Sequence, residues 1–185
     1  MKKPTDFTKL MTSYLGSYLP LQRNVSKNTI SSYCDTFRLL LTFLRDEKSM
    51  SIERVQIQDF SSGLIREYLS WLGHDRHCGV STKNQRLAAL RAFFKYVEVE
   101  SPQHMVLCQK IINIPYTKKE QTSVCYLTTE EMSSILRQPD QSSSIGRRDL
   151  CFLSLLYDTG ARVSEILLLK VRDVHLSNPA KVVLY

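Results

Sequence analysis

Apolar residues recur at three- and four-residue intervals through the first hundred positions, the spacing that lines one side of an α-helix. From Ser26, whose hydroxyl can cap a helix, Ile30, Tyr33, Phe37, Leu40, Leu41 and Leu44 share one face as far as about Arg45. Leu39 and Phe43 lie nearly opposite, so this helix is expected to pack on two sides and to sit centrally. A helix before it is expected from Phe7 to Leu19, stopped near Pro20. A third runs from about Ser61 to Leu72, with Leu64, Ile65, Tyr68, Leu69 and Leu72 on one stripe and Gly73 positioned to end it.

A fourth helix starts at Ser81 or Thr82 and reaches about Glu98, with Leu87, Leu90, Phe94 and Val97 as its core face and Phe93 beside them. Roughly 120° away in projection lie Asn84, Ala88, Arg91 and Lys95, flanked by Lys83 and Arg86. A helix lying in a nucleic-acid groove needs such a face: cations for phosphates, an amide for base edges, nothing bulky between. An ordinary solvated face is the competing reading. A shorter helix is expected over His104 to Ile114, and residues 115–125, polar and without apolar period, read as a linker in which Lys118 and Lys119 can touch phosphate.

The pattern then resumes. Thr128 and Glu131 form a capping box, with Ile135 and Leu136 continuing toward Pro139. After a Ser-rich loop, a strongly apolar helix spans Gly146 to Tyr157, and Thr159-Gly160 turns it into a second helix over Val163 to Leu169. Gly160 is suited to the left-handed turn, and Arg162 is held at the start of the following helix, where anions are favoured. Short strands are expected at Asp173-Val174 and at Lys181 to Tyr185.

Charge sharpens this division. The 185-residue chain carries a net charge of +7, and the excess is one-sided. Residues 1–120 hold 18 Lys and Arg against 11 Asp and Glu, whereas residues 121–185 hold 7 of each. A basic module joined to a neutral one suggests a polyanion-binding domain beside a domain with another task. Neither an apolar run long enough to span a bilayer nor a signal-peptide core is visible, which points to a cytoplasmic protein. Cys34, Cys78, Cys108, Cys125 and Cys151 are scattered, so they read as reduced, mostly buried thiols. His74, His77 and Cys78 cluster without a second ligand pair, and no metal is expected there.

The run Thr159-Gly160-Ala161-Arg162-Val163-Ser164-Glu165-Ile166, with Leu169 and Asp173, resembles the first arginine box of the tyrosine recombinases, the phage integrase family. Asn28 to Tyr33 resembles the second helix of that family's core-binding domain, Ser81 to Tyr96 its fourth, and Tyr126 to Glu131 the opening of its catalytic domain. Ala161 stands where many relatives carry leucine. The fold implied is mainly α. A SAM-like core-binding bundle of four or five helices (1–114) and a linker (115–125) lead into the mostly helical start of an α+β catalytic domain (126–185).

The resemblance implies an enzyme whose tyrosine attacks a DNA phosphodiester, leaving a 3′-phosphotyrosine and a free 5′-hydroxyl, with no cofactor and no essential metal. Arg162 matches the first of two arginines that bind the scissile phosphate, and its forked guanidinium suits the charge that grows there. Gly160 and Glu165 would support that corner, and Asp173 is expected to be structural. Lys83, Asn84, Arg86, Arg91, Lys95 and Lys118 are the expected DNA contacts.

The family's hairpin lysine, His-x-x-Arg box and nucleophilic tyrosine have no counterpart here. Tyr185 follows Arg162 too closely and reads as the end of a strand. The chain is therefore expected to be the first part of a recombinase and to bind duplex DNA without cutting it. The implied parent is a tetramer on paired sites, with a monomer left open for these residues alone. A non-catalytic competitor for a recombination site and a helical protein-interaction module are the alternatives.

Overall fold

Side-chain caps open most of the helices where hydroxyls precede an apolar period. The computed structural model describes residues 3–119, 123 and 125–184. Thr5 accepts from the Thr8 amide and opens α1 (Asp6–Ser13). Ser26 accepts from Thr29 to open α2 (Lys27–Asp46), and Ser61 accepts from Leu64 to open α3 (Ser62–His74). Such a cap contributes about 1 kcal/mol. The fourth helix, α4 (Val80–Glu100), starts earlier than Ser81 or Thr82, with Gly79 at the cap position and no side-chain bond. A single turn at Pro102–His104 then leads into α5 (Met105–Ile112).

Pro20 does not stop the first helix. The chain continues past Ser13 as a π-helical segment, Tyr14–Gln22, with Pro20 inside it. In an α-helix the proline ring would collide with the carbonyl four residues back, and a wider turn carries that carbonyl away. The five-residue reach persists at its end, where the Arg23 amide donates to Tyr18 at 3.0 Å.

Gly73 likewise does not end α3, which runs on to His74. The left-handed residue is His77 (φ 51°), and the Cys78 amide closes the turn by donating to Leu72 at 2.8 Å. Gly73 instead leaves room for a neighbour, since a Cβ there would come within 3.3 Å of Lys83 Nζ.

The core of this unit, Met1–Gln121, is built around α4. Phe93 is fully buried, and its ring meets Phe7, Tyr14, Phe37 and Phe94 with centroids 5.0 to 5.9 Å away, all edge-on. The helix α2 buries Phe37, Leu40, Phe43 and Leu44, while Leu39 and Leu41 pack partly against the same core, so it is covered on more than one side. Trp71 on α3 lies against Phe43 and Tyr68, at 5.7 and 6.2 Å, with the Arg76 guanidinium over its ring. Asp6 fastens the N-terminus by accepting from the Ile57 amide at 3.1 Å.

The second unit, Thr122–Tyr185, contains α6 (Thr129–Leu136), α7 (Ser144–Thr159) and α8 (Val163–Leu167). The Thr128–Glu131 capping box is formed, with reciprocal bonds of 3.2 and 2.8 Å. A two-strand antiparallel hairpin, β1 (Val174–His175) and β2 (Lys181–Val182), pairs Val174 with Val182. The expected end of the second strand at Tyr185 lies outside the described residues. Among the described residues the fold is thus mainly helical with one small sheet, as expected.

Gly146, in the first turn of α7, is pressed against the Asp140 backbone, where an added Cβ would stand 2.0 Å from the carbonyl oxygen. Gly146→Ala should therefore destabilise this unit by about 1–3 kcal/mol, as overpacking does. Thermal unfolding of the variant checks it, and an unchanged melting temperature would refute the close approach.

Among the five cysteines only Cys108 is buried. Cys34, Cys125 and Cys151 are exposed and Cys78 is intermediate, which corrects the expectation of mostly buried thiols: apolar neighbours in sequence did not place these positions on core faces. Burial pushes the Cys108 thiol up to about 11. Among the described residues no helix is long and apolar enough to cross a membrane, and no three His, Cys, Asp or Glu group as a metal site.

Candidate functional site

The arginine corner is assembled from its own backbone. Gly160 takes the left-handed conformation (φ 62°, ψ 16°), and its amide donates to Leu156 at 3.0 Å, closing α7. Thr159 stitches the turn on both sides, donating its hydroxyl to Leu155 and accepting from the Ala161 amide. Arg162 follows in extended conformation as the cap residue of α8.

Glu165 then grips Arg162 twice. One carboxylate oxygen accepts from the Arg162 amide at 2.7 Å, and the other accepts from Nη1 at 2.8 Å. The arginine side chain remains 83% exposed. One edge of the guanidinium is thus fixed, while Nη2 and Nε have no partner among the described residues. A fork held by one edge and open at the other is preorganised to receive an oxyanion such as a phosphate.

The Arg162 amide, and after it the guanidinium, hold the Glu165 carboxyl below its ordinary range. A carboxyl with a depressed folded value contributes stability above its unfolded value and loses it as pH falls through the folded one. The corner should therefore stay intact at neutral and mildly acidic pH and loosen only below the usual glutamate range. A carbon-detected NMR titration of Glu165 checks this, and a midpoint at or above the ordinary glutamate value would contradict it. Asp173, 5% exposed, accepts from the Lys170 amide at 2.9 Å, and its carbonyl accepts from Val183, a structural arrangement that anchors the hairpin.

The second constellation lies on α4. Asn84 uses both ends of its amide on one residue: Nδ2 donates to the Thr117 carbonyl at 2.8 Å, and Oδ1 accepts from the Thr117 amide at 3.0 Å. Two turns on, Arg91 lies over the Tyr116 ring, 4.7 Å from its centroid. The start of the segment read as linker is therefore strapped along α4, and Ile114 just before it is buried.

Arg86 turns inward, donating from Nη1 to the Thr36 hydroxyl at 3.1 Å on α2, with its Nε buried and unpartnered among the described residues. Thr36 also presents its carbonyl to the Tyr68 hydroxyl, which ties α2, α3 and α4 together. Lys83 is partly covered beside Gly73, whereas Lys95 and Lys118 are exposed.

Of the residues singled out from sequence, Asn84, Arg91 and Lys95 share a face of one helix, while Arg86 is drawn toward the core. Sequence alone does not single out Tyr116, Thr117 or Thr36. An aromatic residue stranded in a polar stretch after Pro115 was the available signal for the first two. Nothing local marks Thr36 as a meeting point.

Residues 13–101 match the family model described as phage integrase, N-terminal SAM-like domain, and residues 125–183 match the one described as phage integrase family. This chain belongs to the phage integrase family. The first match takes in the π-helical segment through α4, and the second takes in α6 to the hairpin, including Arg162.

A Sinorhizobium fredii protein named as an integrase/recombinase, y4rC, is 36% identical over 180 residues, which is 97% of this chain and 54% of that protein. The tyrosine recombinase XerC of Staphylococcus carnosus is 29% identical over 176 residues, 95% of this chain and 56% of its own. That of Staphylococcus aureus is 31% identical over 160 residues, 84% and 49% respectively. The chain spans about half the length of the curated relatives it matches.

Proposed function

We propose that this chain is the DNA-gripping and phosphate-orienting part of a site-specific DNA recombinase. In this reading residues 1–114 are the DNA-binding domain, 115–125 the linker, and 126–185 the opening of the catalytic domain. The duplex lies along α4, where Arg91 and Lys95 meet phosphates with Lys83 near one end and Lys118 on the segment beyond.

Arg162 receives the two non-bridging oxygens of the scissile phosphate. As a tyrosine oxygen bonds to phosphorus and the deoxyribose 5′-oxygen departs as a hydroxyl, charge rises on those two oxygens. A guanidinium already aimed by Glu165 stabilises it without reorganising. Arg162→Lys would keep the charge and lose the fork. The 185 residues hold no His-x-x-Arg box, and by themselves they bind DNA without breaking it. The whole recombinase works on paired sites as a tetramer.

The observation that carries this reading is the guanidinium of Arg162, fixed along one edge by Glu165 in a side chain that is 83% exposed. The test is a mobility-shift titration of the chain against duplex DNA across a salt series, followed by denaturing electrophoresis. Retardation that weakens steeply with salt, without a covalent adduct, is expected. Affinity insensitive to salt would overturn the phosphate-binding reading. A covalent protein–DNA adduct would overturn the claim that these residues do not cut.

A further inference from the structure

The π-helical segment Tyr14–Gln22 forms one wall of a cavity of about 280 Å³ within the first unit, and nothing in the proposed recombination chemistry uses it. Four tyrosines line it: Tyr14 and Tyr18 from the segment, Tyr33 from α2 and Tyr96 from α4. The rings of Tyr18, Tyr14 and Tyr33 run nearly parallel, with interplanar angles of 21° and 14°. Tyr96 closes on Tyr18 at 4.7 Å between centroids. Arg23 and Lys95 bring two positive charges to the lining, and Glu100 brings one carboxylate.

The decisive group is Tyr14. Its residue is 1% exposed, and its hydroxyl, which bonds nothing among the described residues, is not sealed off from solvent. A phenol hydroxyl that lines a cavity, reaches solvent and has no protein partner is free to bond a ligand there. Burial, together with the neighbouring Tyr33 and Tyr18 phenols, pushes its ionisation far above the ordinary tyrosine range, so it stays a donor at any physiological pH. π-Helical turns are rare and concentrate at functional sites.

We infer that this cavity is a nucleotide subsite. It takes one planar base against the tyrosine rings, and an attached phosphate at Arg23, Lys95 and the Tyr14 hydroxyl. Aromatic faces and apolar side chains suit a base removed from its stack, and paired cations suit its phosphate. Glu100 can accept from an exocyclic amino group, which favours adenine, guanine or cytosine over thymine. The ligand is either a free nucleotide or an unpaired nucleotide within a strand. The inference goes beyond duplex binding and shares only Lys95 with the α4 face.

The test is calorimetric titration of deoxyadenosine 5′-monophosphate into the 185-residue chain and its Tyr14→Phe variant. Deoxyadenosine and deoxyribose 5-phosphate are titrated as half-ligands. Saturable binding of the nucleotide is expected, with each half-ligand clearly weaker. Tyr14→Phe should cost about tenfold in affinity while leaving the melting temperature unchanged, because the lost hydroxyl bonds nothing in the free protein.

A second arm compares a fully paired duplex with one carrying a single extrahelical adenine. Preference for the latter, lost in Tyr14→Phe, identifies a strand as the source. Nucleotide binding without such a preference identifies a free nucleotide. Nucleotide affinity equal in the two proteins would overturn the inference, as would no saturation by the nucleotide together with no preference for the unpaired duplex. Affinity for the fully paired duplex should be the same in both proteins, so failure of the subsite is distinct from failure of duplex binding.

Discussion

Replacing Phe93 with alanine should remove about 3–5 kcal/mol of stability from the first unit, a large part of what a small domain possesses. The ring is fully buried at the crossing of α1, α2 and α4, where four other aromatic rings meet its faces and edges. Those rings arrive from three directions, so none can swing in to fill the void without leaving its own place. The cavity therefore persists, and with it the full cost. Urea unfolding followed by far-UV circular dichroism should show the midpoint of the first transition falling sharply. A midpoint within experimental error of the parent would mean that Phe93 is not at the centre of the core. Because α4 carries the proposed DNA face, DNA affinity should fall in the same variant, and conservative Phe93→Leu should recover most of both.

The second large effect concerns charge. Arg91→Glu with Lys95→Glu should weaken duplex binding across all sequences and lower the slope of log affinity against log salt by about two. The two cations stand one helical turn apart on one side of α4, so a single groove edge can meet both. Arg91 also covers Tyr116, so its replacement frees the strap as well as removing a charge. Tyr116→Ala separates the two roles: it removes the ring and keeps both cations, and the salt slope should stay at the parent value. An unchanged slope in the double charge reversal would mean that α4 does not face DNA.

Much of this architecture is written locally. Ser26, Ser61 and Thr128 each stand before an apolar period, and each caps a helix because the hydroxyl and the amides it satisfies are neighbours in the chain. Gly160 and Glu165 are legible for the same reason, since every bond of the arginine corner spans four residues or fewer.

The departures arise where a distant element decides. Pro20 looked like a stop, but the packing of Tyr14 and Leu19 into the core holds a wider helical turn around it. Gly73 looked like a terminator, but the helix keeps going and His77 takes the left-handed turn. Asn84 looked like a reader of bases on an open face. Its amide is matched to the backbone of Thr117, 33 residues away, and no periodicity could reveal that partner. Arg86 shows the same blindness: a cation flanking a polar face in projection turns out to reach across to Thr36.

The chain contains one tryptophan, and it sits in the first unit against the mutually touching rings of Phe43 and Tyr68. Excitation at the red edge of the protein absorption band therefore addresses a single chromophore in a single unit. Its emission should shift to longer wavelength when the helices of the first unit separate, and should stay constant while the second unit melts. Far-UV circular dichroism sums both events. Recorded together, the two signals resolve the unfolding of each unit in the intact polypeptide, with no label and no dissection of the chain.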